Sequence, residues 1–278
     1  MCCLFGFVDY AGSLSVKQKG RLIRELSIAA EARGTDATGV AYNTSRGLQI
    51  YKRPLTAHRL HLNIPAEAHV VMGHTRMTTQ GSAKKNYNNH PFFGCVKEKS
   101  FALAHNGIVW NDLEMRRTKH LPRTKVQTDS YVSVQLIEQQ KALDFDSLRY
   151  MAEQVEGSFS FTVLDEQNAL WIVKGDNPLS IAHFSECGVY VYASTAEILN
   201  KALTRCGKQL GRKKTVEVEM GDLLKIDRRG HITRAAFDTS KLCRPSWDYW
   251  DSSLYAKSPK TEDEHIRLLK SIARAFGF

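Results

Sequence analysis

Short apolar runs of strand length, separated by turn-forming residues, are the feature that most limits how this 278-residue chain can fold. Such runs are typical of β-strands that bury at least one face. They occur at residues 4–8, 40–42, 69–73, 101–104, 160–164, 171–173 and 189–193. The sequence therefore predicts a protein that is rich in strands.

Apolar residues at helical spacing occupy the stretches between these runs. Leu22, Ile23, Leu26 and Ala30 fall on one face of a predicted helix over residues 16–32. Further helices are predicted over 130–142, 145–155 and 196–204. A chain in which strands outnumber helices must cover its sheet faces with apolar helix faces. We therefore predict an α+β fold of two antiparallel sheets with helices packed outside them.

The strand pattern is lost near Cys243, where an irregular, polar stretch with a proline begins. We predict a compact domain over 1–242, an irregular connector over 243–260 and an amphipathic helix over 261–278. Thr261 and Glu264 have the spacing of a capping box at the start of that helix. The favoured interpretation is that this helix docks on its own domain, and the alternative is that it binds a partner.

The composition indicates a globular protein and gives no sign of a membrane, secreted or metal-binding one. An apolar content of 42% is ample for a packed core. No apolar run approaches the roughly 20 residues of a membrane-spanning helix, and the amino terminus lacks a secretory pattern. These features predict a soluble, cytoplasmic protein without a membrane partner. The six cysteines show no Cys-x-x-Cys spacing, so we predict no metal site and no disulfide framework, and no motif indicates a cofactor.

An excess of basic residues gives the chain a formal net charge of +10. Basic clusters lie at 116–120 and 205–214, and such clusters can contact nucleic acid or a phosphorylated acceptor. They lack the regularly interleaved aromatic residues of many nucleic-acid sites. We therefore favour exposed loops on a solvated basic surface over a nucleic-acid partner.

Cys2 occupies a chemically special position. If Met1 is removed, Cys2 becomes the first residue and carries both a thiol and a free α-amine. The α-amine has an unperturbed pKa of about 7.7 to 8.0, so it can accept the thiol proton near neutral pH. An internal cysteine needs a separate base for that step. The position predicts a nucleophile that carries its own base.

Six segments in order along the chain resemble the motifs of class II glutamine amidotransferases, a family of N-terminal-nucleophile enzymes. The first is Met-Cys-Cys-Leu-Phe-Gly at 1–6, followed by Arg-Gly-Thr-Asp-Ala-Thr-Gly at 33–39 and Gly-His-Thr-Arg-Met-Thr-Thr-Gln-Gly at 73–81. Asn-His-Pro-Phe at 89–92, His-Asn-Gly-Ile at 105–108 and Thr-Asp-Ser at 128–130 complete the set. The resemblance covers residues 1 to about 240. The family includes the glutaminase domains of glucosamine-6-phosphate synthase and amidophosphoribosyltransferase.

The resemblance implies a four-layer αββα sandwich and a role for each matched residue. Asn106 and Gly107 correspond to the oxyanion hole, where a side-chain amide and a backbone N–H at a turn meet the negative charge that attack creates. Arg76 supplies a planar cationic fork for the carboxylate of glutamine, with Thr79 adding a hydroxyl. Asp129 supplies the acceptor for the ammonium group of the substrate.

Other matched positions correspond to residues that close over the substrate or support the nucleophile in the family. Met77 and Gln80 lie in the segment that closes over glutamine, where the family more often has tryptophan and histidine. Arg33 and Gly34 lie in a turn that packs against the strand of the nucleophile, so we expect them to support Cys2. A thiol at the following position, where the family has glycine, is expected to crowd the site or to trap the nucleophile by oxidation.

His74, His90 and His105 lie 16 and 15 residues apart and lack the His-x-x-x-His spacing of a helical metal site. We interpret them as buried structural histidines.

The leading hypothesis is a glutaminase subunit that hydrolyses glutamine through a Cys2 thioester. The stretch after residue 243 is too short for a synthase domain, so we expect ammonia to pass to a separate acceptor enzyme. Two alternatives remain open. One is an N-terminal-nucleophile amidohydrolase acting on another γ-glutamyl or small amide, because Met77 and Gln80 depart from the family. The other is a non-catalytic binding module of the same fold, suggested by the net charge and the terminal helix.

Overall fold

Two antiparallel sheets dominate the computed structural model, which describes residues 1–206 and 210–242. The strands are β1 (Cys3–Asp9), β2 (Ala37–Thr44), β3 (Gly47–Arg53), β4 (Val70–Arg76), β5 (Phe92–Val96), β6 (Lys99–Val109), β7 (Gly157–Asp165), β8 (Leu170–Lys174), β9 (Ser180–Phe184), β10 (Val189–Ala193), β11 (Lys214–Val216), β12 (Asp222–Ile226) and β13 (Ile232–Ala236). The helices are α1 (Val16–Ala30), α2 (Asp112–Thr118), α3 (Tyr131–Gln140), α4 (Phe145–Gln154) and α5 (Ala196–Cys206).

The first sheet has the strand order β11-β9-β10-β1-β4-β2-β3, and the second has the order β13-β12-β8-β7-β6-β5. Helices α1 and α5 pack their apolar faces on the outer side of the first sheet. Helices α2, α3 and α4 cover the outer side of the second. A third apolar cluster fills the space between the two sheets. The layers therefore run helix, sheet, sheet, helix, which confirms the predicted α+β sandwich.

Local sequence explains where the helices begin. Ser15 caps α1, and the Gln18 side chain returns to the Ser15 backbone N–H at 2.9 Å. Asp144 caps α4 by accepting from the Ser147 N–H at 2.8 Å. Six of the seven predicted strand runs lie within strands, and the run at 69–73 begins one residue before β4. The four predicted helices are present with ends shifted by a few residues.

The prediction that both basic clusters are exposed loops is wrong in part. Residues 116–118 form the last turn of α2, where Arg116 lies 3.6 Å from the Asp112 carboxylate. Lys214 begins strand β11. Residues 207–209 of the second cluster lie outside the described residues. So do the connector predicted over 243–260 and the helix predicted over 261–278.

The two-residue period of the strands determines which side chains meet between the sheets. In β1, Leu4 and Val8 face the inter-sheet layer, whereas Phe5 and Phe7 face α1. No helix in the described part of the chain is long and apolar enough to cross a membrane.

Candidate functional site

The backbone of Met77 holds the Cys2 thiol at the start of β1. Cys2 Sγ lies 3.5 Å from both the carbonyl oxygen and the backbone nitrogen of Met77. This contact follows from strand pairing, because Cys3 lies opposite Thr75 in β4. Burial raises the pKa of the Cys2 thiol, while the Met77 N–H, the amino-terminal charge and Arg76 counteract that rise.

The turn at 33–34 supports the same place. Arg33 Nε donates to the Cys2 carbonyl at 2.9 Å. A Cβ at Gly34 would lie 2.5 Å from the Arg76 carbonyl carbon and 2.8 Å from the Met77 nitrogen, so only glycine permits this approach. Asp36 accepts from the Thr78 N–H at 2.7 Å and extends the contact to the next loop. The turn thus packs against the backbone of residues 76–78, which includes the Met77 groups that contact the Cys2 thiol.

The amino-terminal amine belongs to Met1 in this structure and lies 2.5 Å from Met77 Sδ. Burial lowers the pKa of this amine. The Met1 side chain is 39% exposed, and its sulfur lies 3.4 Å from the Arg33 guanidinium. Met1 therefore contacts the same two residues, Arg33 and Met77, that hold Cys2.

The Cys3 side chain does not crowd the Cys2 thiol, which corrects the expectation from sequence. Its side chain belongs to the fully buried cluster between β1 and α1, together with Phe5 and Phe7. The reason is the alternation of side chains along a strand, which turns consecutive residues to opposite faces.

Arg76 ends β4 and is 3% exposed. Its guanidinium donates to Asn89 Oδ1 at 2.8 Å and to the carbonyl oxygens of Gln80 at 2.5 Å and Gly81 at 3.0 Å. These bonds use three of its five N–H groups. Asn89 belongs to one of the sequence motifs, but no role was predicted for it. Its hydrogen bond identifies it as the partner that orients Arg76.

Asp129 connects the end of β6 to the start of α3. Its carboxylate accepts from the Val109 N–H at 2.7 Å and from Ser130 Oγ at 3.3 Å. Burial raises the pKa of Asp129, while these hydrogen bonds and the charge of Arg76 counteract the rise. The charges of Arg76 and Asp129 both act on the Cys2 thiol, so the fold brings these three groups into one electrostatic neighbourhood.

Asn106 and Gly107 lie inside β6, paired with Ser160 and Phe159, so the predicted turn at this position is wrong. Gly107 has a φ of +143°, and a Cβ there would lie 1.9 Å from the Ser158 carbonyl oxygen. Asn106 is 1% exposed, and neither Nδ2 nor Oδ1 has a hydrogen-bond partner among the described residues. A buried amide without protein partners is costly, and its donor and acceptor groups are free to bond a bound molecule.

His74 joins the two halves of the site across the sheets. Its Nε2–H donates to the His105 carbonyl oxygen at 2.9 Å, which connects β4 to β6 directly before Asn106. By strand alternation, Asn106 shares the inter-sheet face of β6 with Ala102 and Ala104. Cys2 precedes Leu4 by two residues on the inter-sheet face of β1. Cys2 and the unpartnered Asn106 amide therefore lie on facing sheets, at the end where His74 bridges the two sheets.

The three motif histidines are buried. The rings of His74 and His90 lie 4.2 Å apart, and the His105 ring stacks on Phe161 at 4.4 Å. Burial lowers the pKa of His74 and His105 to about 3 and that of His90 well below its usual value, so all three are neutral near pH 7. No group of His, Cys, Asp or Glu suited to a metal ion occurs within residues 1–206 and 210–242.

The loop after β4 holds the remaining predicted site residues. Met77 touches Cys2 through its backbone, and Gln80 reaches Arg76 only through its carbonyl oxygen, with an exposed side chain. Thr79 is half-buried between them. The structure thus places Cys2, Met77 and Arg76 together and leaves the side chains of Thr79 and Gln80 at the rim.

Comparison with known proteins agrees with this arrangement. Residues 74–201 match the family described as "Glutamine amidotransferase domain". The glutamine–fructose-6-phosphate aminotransferase (isomerizing) of Sulfurisphaera tokodaii is 30% identical over 194 residues, covering 65% of this chain and 31% of that protein. The protein of the same name from Bacillus anthracis is 30% identical over 190 residues, covering 65% of this chain and 30% of that protein. The matched stretch thus amounts to about a third of the length of these curated relatives.

A solved structure shows the same fold. The glutamine phosphoribosylpyrophosphate amidotransferase from B. subtilis superposes with a TM-score of 0.67 over 86% of this chain and 50% of that one, at 20% sequence identity. At this identity the superposition supports the architecture alone.

Proposed function

Because the chain carries a class II, N-terminal-nucleophile glutamine amidotransferase domain, we propose that it hydrolyses the side-chain amide of glutamine with Cys2 as the nucleophile. The observation that carries this proposal is the buried, unpartnered amide of Asn106 at the end of the sandwich where Cys2 lies. An oxyanion formed by attack on an amide carbon would supply the missing acceptor for Asn106 Nδ2.

The chemistry begins with removal of Met1, which turns the amide nitrogen of Cys2 into a free amine. That amine takes the thiol proton, and the Cys2 thiolate attacks the amide carbon of glutamine. Asn106 Nδ2 and the Gly107 N–H stabilise the resulting oxyanion. The amine returns the proton to the leaving nitrogen, ammonia departs and a γ-glutamyl thioester remains. Water then hydrolyses the thioester, releases glutamate and restores the thiol.

Substrate binding uses the charged groups around Cys2. Arg76 has two further N–H groups for the α-carboxylate, and Thr79 adds a hydroxyl. Asp129 accepts from the α-ammonium group. Met77 and Gln80 belong to the loop after β4, which closes over glutamine in this proposal. Arg33 and Gly34 keep the Cys2 backbone in place without contacting substrate.

We also propose that ammonia is consumed by a separate acceptor protein in the cytosol, where a reactive thiol stays reduced. The support is that curated relatives of this chain are named glutamine–fructose-6-phosphate aminotransferases, which pairs glutamine with an acceptor in those proteins. Release of free ammonia into solution without any stimulation by a partner would contradict this part of the proposal.

Intact-mass measurement after incubation with a glutamine-mimicking electrophile tests the central proposal. We expect loss of Met1 and one covalent adduct on Cys2, together with glutamate release from glutamine. Cys2→Ala should abolish both the adduct and the glutamate. Cys3→Ala, in which a buried thiol next in sequence is removed, is the matched control and should retain both. Turnover of other small amides in preference to glutamine would instead favour the broader amidohydrolase hypothesis.

A further inference from the structure

Lys52 lies close behind Arg76, and the chemistry described above does not use it. It belongs to β3, the edge strand of the first sheet, and its side chain is half-buried. Nζ donates to the Asn89 carbonyl at 2.5 Å and to the Pro91 carbonyl at 2.8 Å. The ammonium also lies 5.0 Å from the centre of the Phe92 ring. Lys52 forms no ion pair with any carboxylate among the described residues.

The hydrogen bonds of the Lys52 ammonium offset part of the cost of its burial, because it has no counter-ion among the described residues. Those bonds hold the backbone carbonyl groups of residues 89 and 91. Gly39, the cross-strand partner of Lys52 in β2, faces the same segment, and a Cβ there would lie 2.2 Å from the His90 carbonyl oxygen. Segment 89–91 therefore lies over the face of the sheet that Lys52 and Gly39 share.

The Asn89 side chain connects segment 89–91 to the Arg76 guanidinium. Its Nδ2 donates to the Ala83 carbonyl at 2.8 Å and to Asn86 Oδ1 at 3.2 Å, which leaves Oδ1 to accept from Arg76 at 2.8 Å. The Asn89 side chain is completely buried, so it has no water as an alternative partner. The orientation of the guanidinium therefore depends on where residues 89–91 lie.

We propose that Lys52 is a positioning residue that fixes the Arg76 guanidinium through Asn89 and thereby sets the affinity for the substrate carboxylate. This inference rests on the proposed function for its substrate, but the position of Arg76 can be measured without turnover. Lys52 also adds a second positive charge near Arg76, so the two cations repel each other, and the lysine pairs with no carboxylate in the described part of the chain. An incoming carboxylate would relieve that repulsion.

Steady-state kinetics with glutamine provide the first test. Lys52→Met should raise KM at least tenfold and leave kcat within about threefold, because the nucleophile and the oxyanion donors are unchanged. Lys52→Arg keeps the charge and the donors and should restore KM to within about threefold. The matched control is Lys225→Met, since Lys225 is also half-buried and lies 4.4 Å over an aromatic ring, that of Trp171 in the second sheet. This variant should leave both parameters unchanged.

NMR of the Arg76 guanidinium in the full chain provides a readout that does not need activity. Hydrogen bonding slows rotation about its C–N bonds, so its N–H signals should be resolved in the wild type and in Lys52→Arg. They should average or shift in Lys52→Met, and Arg76→Lys identifies them by their loss. If Lys52→Met does not fold, Lys52→Gln gives the same comparison without the charge.

Each outcome separates the two proposals. An inactive wild type with the expected Arg76 signals would overturn the proposed function and leave the positioning role supported. An active wild type in which Lys52→Met leaves KM and the Arg76 signals unchanged would overturn the positioning role. A fall in kcat alone would also contradict it.

Discussion

Asn89 and Asn106 are both buried asparagines near Cys2, and their environments are opposite. The Asn89 amide makes three hydrogen bonds, two as donor and one as acceptor from Arg76. The Asn106 amide makes none within the described residues. Unmade hydrogen bonds of a buried amide cost stability, whereas made ones stabilise modestly. The difference indicates that the protein itself orients the Arg76 guanidinium, whereas the Asn106 amide is free to bond a bound molecule.

The largest expected effect comes from removing the unpartnered amide. Asn106→Ala should lower kcat by about 10² to 10³-fold, because one oxyanion donor is lost. The free energy of unfolding should change by no more than about 1 kcal/mol, since no protein hydrogen bond is broken. Steady-state kinetics and urea unfolding measure the two quantities. A large loss of stability with little loss of kcat would show that Asn106 has a structural role instead.

Removing the partnered amide should have the reverse pattern. Asn89→Ala should cost about 3 kcal/mol of unfolding free energy, because buried groups of Arg76 and the 83–86 turn lose their partners. KM should rise at least tenfold, with a smaller change in kcat. Asn43→Ala is a useful control, since Asn43 also makes buried hydrogen bonds but lies at the far end of β2. Equal unfolding curves for the Asn89 and Asn106 variants would refute the difference between the two amides.

Three buried histidines, His74, His90 and His105, lie near the two asparagines, and they lead us to expect that stability depends on pH. His74 and His105 have a folded pKa of about 3 because of burial, so the unfolded chain binds more protons between pH 3 and pH 6.5. Stability should therefore fall as the pH drops below about 6.5, by up to about 2 kcal/mol per histidine at pH 5.

His90→Phe sharpens this test. Both ring nitrogens of His90 lack partners among the described residues, so the phenyl ring forfeits no hydrogen bond. Urea unfolding at pH 7 and pH 5 should show a smaller acid-induced loss in this variant than in the wild type. His61→Gln, at an exposed position, should leave the loss unchanged. An identical pH dependence in all three proteins would mean that the buried histidines do not cause it.

The smallest expected effect concerns the second thiol. Cys3→Ala should change kcat by less than about threefold and the free energy of unfolding by about 1 kcal/mol, because the small side chain is buried in the apolar cluster between β1 and α1, away from Cys2. In the native wild type an alkylating reagent should modify Cys2 and spare Cys3, as mass spectrometry of peptides can show. Equal modification of both thiols would contradict their placement on opposite faces.

The sequence by itself determined the fold class and most elements of it. Apolar period and capping residues are local properties, so the strand runs and the helices beginning at Val16 and Phe145 could be predicted from them. The motifs that follow one another along the chain also predicted that Arg33, Arg76 and Met77 lie near Cys2. Short or partly exposed strands such as β3, β11 and β13 escaped prediction, because pairing with a neighbour, and not their own composition, makes them strands.

Only the tertiary structure decided the relations between distant residues. It placed Asn106 and Gly107 inside a strand, turned Cys3 away from Cys2 and showed that Lys52 and Asn89 stand behind Arg76. These facts depend on strand register and on hydrogen bonds across long separations in the chain. No local pattern encodes them, because a side chain's partners are set by which strands pair and with what offset.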